Sequence, residues 1–443
     1  MELLLTITYT LLFIFLIHRM RFFETDGISR RGISFLFLLK VLSGIVVWAV
    51  YTFYYTDRAT ADIYKYFDDS KVIYDSFRTR PDDFFRLLSG IGNNTPAFDH
   101  YYSEMNYWAR KVDSSIYNDS HTIIRFNALL RFFSMGYYNV HTVIFCFLSL
   151  TGLTAIYKTF VGHLQNKKRE LLFAVFLLPS VLFWGSGALK EALIFFALGL
   201  LIYHADRLFR SRSVLIFLLV TLLLAFSKFY VWLCVIPGII LLVLVNKTSS
   251  KKIFLKFLVV LALISILGLN SETLFNIQSP FVTLSLKQQE FMQLGTGQFT
   301  DSGHNPIPAA NSLVNIRPLE PTPASFIKNS PQALVNTFLR PYLWECRGPL
   351  MLLSGLETLL VLFLIAVCIV FMKDPGKISW LYVLFCLSFV LLQFLIIGET
   401  TPVLGAIARY KTIALPFLLI GFLFVLNKER MLARLPFLKK ILN

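Results

Sequence analysis

Apolar runs recur along the chain at residues 2–17, 33–55, 138–161, 170–184, 188–204, 213–227, 229–246, 253–270, 351–372, 378–397 and 410–427. Each has the length of a membrane-crossing helix, roughly 17–25 residues, or is slightly short of it. The pattern predicts an all-α membrane protein, one integral domain of about eleven transmembrane helices, with two long polar connections at 56–121 and 272–350. The first connection has a periodicity of its own. In ADIYKYFDDSKVIYDSF, Ile63, Phe67, Tyr74 and Phe77 recur at helical spacing, with Asp62, Tyr66 and Asp69 along another face. This predicts a helix lying on the membrane surface with its apolar side down. A turn at Gly92–Pro96 follows, and His121 to Tyr138 forms a second amphipathic segment leading into the third run. In the second connection, Pro306, Pro308, Pro318, Pro321 and Pro323 predict an irregular middle. No internal repeat is visible.

Composition agrees: hydrophobic residues make up 56% of the 443, charged residues 15%, and the mean hydropathy is +0.65. These values exclude an ordinary soluble enzyme. The net charge of +16 raises the question of nucleic acid, and its distribution answers it. Segments 18–32, 158–170, 205–212, 246–256, 373–377 and 428–440 hold 22 Lys and Arg against 6 Asp and Glu, whereas the two long connections hold 13 against 16. With alternating spans, every short basic segment falls on one side. By the positive-inside rule that side is cytoplasmic, which puts the N-terminus outside and the C-terminus inside. The basic excess is a topology signal, and no nucleic-acid partner is implied. The first run lacks a basic leader and a small-residue cleavage site, so it reads as a retained span. The cysteines, at 146, 234, 346, 368 and 386, have neither CxxC nor metal spacing.

Candidate chemistry gathers on the outer side. The acidic stretch carries Asp57, Asp62, Asp68, Asp69 and Asp75; Asp62 and Asp69 share a face with Tyr66, Asp68 is placed to pair with Lys71, and Asp57 and Asp75 read as surface charges. Two outer turns are very short. One is Gly185-Ser186-Gly187 with Lys190 and Glu191 just beyond it, and the other carries Lys228 between two apolar runs. Lys190, Glu191 and Lys228 face an outside cavity on this reading; the plain alternative is that they cap helices and snorkel to the interface. Near the end of the second connection, FLRPYLWECRG offers Arg340, Trp344 and Glu345. A guanidinium suits phosphate and aromatic rings suit sugar faces, though interfacial anchors have the same composition. Before the last run stand Glu399, Arg409, Tyr410 and Lys411, and Glu357 lies inside an apolar run. An ionisable group there is a functional hypothesis by default. Lys40 lies close enough to the cytoplasmic end of its span to snorkel. Asn93-Asn94-Thr95 and Asn118-Asp119-Ser120 match the N-glycosylation pattern, which occurs by chance and carries no weight.

Several chemistries are missing. The chain has no Walker A, no strand-associated GxGxxG, no GxSxG and no HExxH, and its histidines are isolated. Cytoplasmic segments of about fifteen residues or fewer give a soluble nucleotide-sugar no folded pocket, so any donor is lipid-borne.

An acidic outer loop after an early span, hairpin turns at the outer face, a long later loop and a closing RY…P segment together resemble the integral-membrane glycosyltransferases of the C-type fold. PSVLFWGSGALKEALIFF, LRPYLWE and ARYKTIALPFL resemble segments of bacterial cell-surface polysaccharide polymerases. The resemblance implies a polyprenyl-linked sugar donor, a saccharide acceptor, a bacterial inner-membrane location and an acidic base in the first outer loop, where Asp62, Asp68 and Asp69 are the matching positions. Here that loop follows the second span, not the first. Transfer from a phosphate leaving group needs a carboxylate for the acceptor's proton and cations for the departing phosphate. Asp62 is the expected base. No cofactor is required, although a divalent cation could bridge carboxylate and phosphate. The alternative from another class is a transporter or flippase of lipid-linked oligosaccharide, whose usual repeated halves are missing.

Overall fold

The computed structural model describes residues 1–58, 61–108, 117–208, 211–298 and 309–438. Among them the regular elements are helical. Among the described residues six helices are long and apolar enough to cross a membrane: Glu2–Arg19, Arg30–Tyr54, Tyr138–His163, Phe229–Lys247, Pro349–Val370 and Trp380–Thr400. A seventh crossing is available if Leu404–Ile413 and Leu415–Val425, which meet at a 55° bend, form one span. This supports a membrane-embedded helical protein, with fewer full-length spans than the eleven apolar runs suggest. The remaining runs fall on shorter helices. Lys190–Ala205, Ser211–Ser227 and Ile253–Leu269 have 16 or 17 residues, or roughly 24–26 Å against a hydrocarbon core of about 30 Å. Run 170–184 is broken at Leu178, which is extended before Pro179, as a residue preceding proline tends to be.

The helices sort into two compact units. The first comprises Met1–Ala155, Val181–Leu200 and Leu219–Phe229. In it the acidic helix Asp62–Thr79 packs against a supporting helix, Ser120–Ser134. Ile63, Phe67 and Ile73 are buried in an aromatic-rich core, and Tyr74 and Phe77 meet the Phe132 ring edge-on. The apolar face expected to lie on the membrane is therefore spent largely on a neighbouring helix. Arg131 fixes the pairing: Nε donates to Ser70 Oγ at 2.8 Å, Nη2 donates to the Phe67 carbonyl, and the guanidinium covers the Phe67 ring at 4.1 Å. The supporting helix ends at Met135 and Gly136, both with positive φ, which lets the chain reverse into the span beginning at Tyr138.

In the second unit (Ile156–Ser180, Leu201–Leu218 and Tyr230–Asn443), the long second connection is better ordered than its prolines imply. It holds the helices Pro280–Gly295 and Pro323–Leu339. Between them the strand-like stretch near Val314 is tied by Val314 N–H to the Pro402 carbonyl and by Leu404 N–H to Ser312. Gln288 adds bonds to the Arg317 and Glu399 carbonyls and to Leu319 N–H. Of the expected irregular middle, 301–308 lies outside the described residues.

Helices approach closely where glycine removes the side chain. A Cβ on Gly199 would lie 2.0 Å from the Gly152 carbonyl oxygen, and one on Gly152 would lie 2.0 Å from that of Phe195. Gly199→Val is accordingly expected to destabilise the protein by on the order of 1–3 kcal/mol, read as a lower melting temperature in detergent. An unchanged melting temperature would mean that the two backbones do not touch there.

Candidate functional site

The predicted outer turns and the acidic loop meet in the first unit, at a carboxylate given no role above. Asp119 Oδ1 accepts from Lys190 Nζ at 2.6 Å, and its Oδ2 lies 3.0 Å from Lys228 Nζ. Asp119 occupies the N-cap position of the supporting helix, but its side chain does not cap that helix; it turns to the lysines instead. Ser120 Oγ accepts a second bond from Lys190 at 3.0 Å, and the ammonium lies 5.2 Å from the centre of the Tyr66 ring. Side-chain exposure is 9% for Lys190 and 13% for Lys228. Neither snorkels: each ends in a carboxylate within the fold. Glu191 is buried beside Lys190. The sequence signal for Asp119 was the Asn-Asp-Ser triplet before an amphipathic run, a helix-start signature as well as a chance glycosylation match.

Tyr107 organises the acidic side. Its hydroxyl donates to Asp62 Oδ1 at 2.8 Å and its ring meets Tyr66 at 5.5 Å. Its backbone N–H donates to Asp69 Oδ2 at 2.7 Å, and Asn106 N–H donates to Asp69 Oδ1 at 2.8 Å. Its carbonyl accepts from Asn118, which also receives Ser120 N–H. Asp62 and Asp69 thus share a face with Tyr66 as expected, but their duties differ. Asp69 is 1% exposed and engaged by two backbone amides, so it positions the segment that carries Tyr107. Asp62 opens the acidic helix, where the helix dipole favours a negative charge, and it lies within electrostatic reach of Lys190. Asp68 does not pair with Lys71: it forms a two-point bond with Arg58 at 2.7 and 2.9 Å, while Lys71 bonds Asp75. Closely spaced charges in sequence leave that choice open.

Arg340, Trp344, Glu345, Arg409 and Tyr410 belong to the second unit. Arg340 pairs with Glu345 at 3.3 Å and lies 5.6 Å from the Tyr342 ring centre, which stacks on Trp344 at 4.8 Å. Trp344 is 82% exposed, as an interfacial anchor or a sugar platform would be. Tyr410 packs 6.1 Å from Phe291, and Arg409 is half-buried on the same short helix, Leu404–Tyr410. Lys411 turns inward and donates to the Arg340 carbonyl at 2.6 Å and to Thr358 Oγ1 at 3.0 Å. Glu357 is also buried and accepts from Ser180 N–H at 2.9 Å. Lys40, expected to snorkel, is 1% exposed with no acceptor for its ammonium among the described residues. Among those residues no three His, Cys, Asp or Glu side chains gather as a metal site.

No known protein family, curated protein or solved structure matches this chain.

The Asp119 bridge makes its own prediction. Asp119→Asn leaves two nearly buried ammonium groups facing one another and is expected to cost about 2–4 kcal/mol; adding Lys228→Gln is expected to restore part of the loss. Additive losses in that double-mutant cycle would show that the two groups do not interact. Asp69 makes a second. Burial pushes its carboxyl from 3.8 up to about 6, against the opposing effect of two amide donors. The folded state thus favours the protonated acid, so this contribution to stability is full below pH 3.8 and is lost as the pH rises through about 6. Relative to Asp69→Asn, the wild-type melting temperature is expected to fall over that window and level off above it. A relative melting temperature that climbs with pH would refute the assignment.

Proposed function

We propose that the protein is an integral-membrane glycosyltransferase acting at the extracytoplasmic face of a bacterial inner membrane, with its N-terminus outside and its C-terminus in the cytoplasm. Its donor is a sugar on a polyprenyl-phosphate carrier and its acceptor a saccharide of a cell-surface polysaccharide or glycoconjugate. One observation carries the reading: two lysines held by a shared carboxylate, with Asp62 and its Tyr107 partner beside them. In transfer, the acceptor hydroxyl oxygen attacks the anomeric carbon and the bond from that carbon to the phosphate oxygen breaks. The electron pair leaves with the phosphate and the hydroxyl proton passes to a base. Lys190 and Lys228 supply the positive charge that the departing phosphate needs. Asp62 is the base, placed at the start of the acidic helix beside Tyr107 and within electrostatic reach of Lys190. Arg340, Glu345, Trp344, Arg409 and Tyr410 are assigned to saccharide binding. The scheme needs no cofactor from the protein, and a divalent cation could join the lysines in meeting the phosphate.

A second reading, a transporter or flippase of lipid-linked oligosaccharide, draws on a different observation. Glu357 and Lys411 line a void of about 10 Å³ inside the second unit, and buried ionisable groups within spans often belong to translocation paths.

The two readings part in proteoliposomes supplied with a panel of radiolabelled polyprenyl-phosphate and polyprenyl-diphosphate sugars as donors and with saccharides of bacterial cell-surface polysaccharides as acceptors. Glycosyl transfer predicts release of the free lipid phosphate or diphosphate, reduced by ~100-fold or more in Asp62→Asn, the scale of a lost general base, with the melting temperature preserved. Movement of intact lipid-linked sugar across the bilayer, unaffected by Asp62→Asn, would replace the enzyme with a transporter.

A further inference from the structure

Beside the Asp119 cluster, the first unit contains a cavity of about 630 Å³, within the roughly 300–1,000 Å³ of small-molecule sites. Its two walls differ in chemistry. One is aromatic and polar: Tyr102 stacks on Trp108 at 5.5 Å, Trp108 stacks on His121 at 4.0 Å, and the Arg125 guanidinium stands 5.2 Å from the Trp108 ring centre. The other is apolar, made by Leu129, Leu222, Leu223 and Phe226. Leu219, Leu222 and Phe226 follow one another at helical spacing and are 57%, 55% and 51% exposed. They extend the apolar wall out of the cavity as a continuous row.

Arg125 is the unusual member. Its Nε donates to the Leu87 carbonyl at 2.9 Å, and its other polar neighbours are the Tyr117 and Tyr102 side chains, with no carboxylate beside it among the described residues. Burial draws its basicity down from the ordinary value, yet an arginine side chain stays cationic in proteins. Gly90 makes room for it, since a Cβ there would lie 2.6 Å from Nη2, and its φ of +77° independently favours glycine. A guanidinium without a countercharge among the described residues, stacked on an indole and facing a cavity, is built to receive an anion.

We propose that this cavity seats an amphipathic lipid anion, its phosphate on Arg125 and its hydrocarbon chain along Leu222, Phe226 and Leu219. The polar wall accounts for the head, the apolar row for the tail, and Arg125 for the charge. The inference rests on the glycosyl-transfer reading only for its meaning: there, a lipid phosphate seat apart from Lys190 and Lys228 makes the second substrate lipid-borne too, as polymerisation of lipid-linked chains requires. Along the supporting helix, Asp119 and Arg125 are six positions apart, which places the two anion seats within about 9 Å of axial rise.

Binding tests this without turnover. Geranylgeranyl phosphate, geranylgeraniol, inorganic phosphate and a hyaluronan tetrasaccharide would each be titrated into the full-length protein in nanodiscs, following affinity by native mass spectrometry and the fluorescence of Trp108 against Trp108→Phe. Geranylgeranyl phosphate is expected to bind at least ~10-fold tighter than the alcohol or the free ion. Arg125→Gln is expected to weaken it ~10–100-fold, the worth of a charge-assisted phosphate contact, and Arg125→Lys less. Because the Leu87 contact could matter to folding, Leu222→Asn on the exposed row serves as a second variant and should lower affinity for the lipid phosphate but not for inorganic phosphate. Equal binding to wild type and Arg125→Gln identifies annular lipid and overturns the proposal. Preference for the tetrasaccharide or for inorganic phosphate alone overturns it too. A protein that transfers sugar but fails this test retains the proposed function and loses only the seat.

Discussion

Moving an ammonium group out of water costs several kcal/mol, and a fold that does so twice must provide a countercharge in the right place. In the first unit Asp119 is that countercharge. The lysines it holds lie at the start of one helix and just past the end of another, beyond a glycine-rich turn in the first case and in a tight turn in the second. Asp119 itself begins the supporting helix, whose Arg131 grips the acidic helix three turns later. One carboxylate therefore fixes the relative positions of three outer segments. The acidic helix follows, because its partner's first turn is already pinned. Tyr107, held on one side by Asp69 and on the other by Asn118, then presents its hydroxyl to Asp62. The polar end of this unit is a chain of dependencies running from Asp119 outward.

The second unit meets the same constraint with backbone carbonyls instead of a shared carboxylate. Lys411 ends on the Arg340 carbonyl and Thr358, and Lys167 ends on the carbonyls of Leu423 and Leu426 at the close of Leu415–Val425. A helix C-terminus offers carbonyls that lack intrahelical donors, and the dipole there favours a cation. Lys167 thus satisfies its own charge and the helix end together. Glu399 shows the reverse case: buried at 2% exposure, it has one carboxyl oxygen with no donor among the described residues.

The apolar runs, the amphipathic faces and the clustering of acids in the first connection were legible from periodicity, because burial of apolar surface repeats every turn and leaves a trace in the residue order. The face shared by Asp62, Tyr66 and Asp69 was legible for the same reason. The number of spans was not, because hydropathy reports that a run is apolar and says nothing of a bend such as the one at Ala414, although the break at Pro179 was marked by the proline itself. Which charge pairs with which was also beyond the sequence. Asp68 had Lys71 three residues away and Arg58 ten away, and only the structure shows that it bonds Arg58. Asp119 was hidden by its neighbours, since an Asn-Asp-Ser triplet fits a helix cap, a chance sugar-attachment pattern and a lysine bridge equally well.

Lys40 shows how the first unit divides its costs. Its ammonium is buried without an acceptor among the described residues, and the Ser186 hydroxyl in the Gly-Ser-Gly turn is likewise without a partner among them. The turn is instead seated by steric fit. A Cβ on Gly44 would lie 2.3 Å from the Ser186 carbonyl oxygen, one on Gly185 would lie 3.2 Å from Lys40 Nζ, and Cys146 Sγ bonds the carbonyls of both Lys40 and Ser186. Native folds leave few buried polar groups unpaired, and each costs on the order of 1–3 kcal/mol. Lys40 and Ser186 are two such groups, and beside them close-packed glycines fix the backbone without their help. In front of the same turn, Lys190 is held by Asp119 and Ser120. The backbone position of Lys190 therefore comes from packing and its charge from the Asp119 bridge, so a ligand that drew the ammonium away from Asp119 would leave the turn in place.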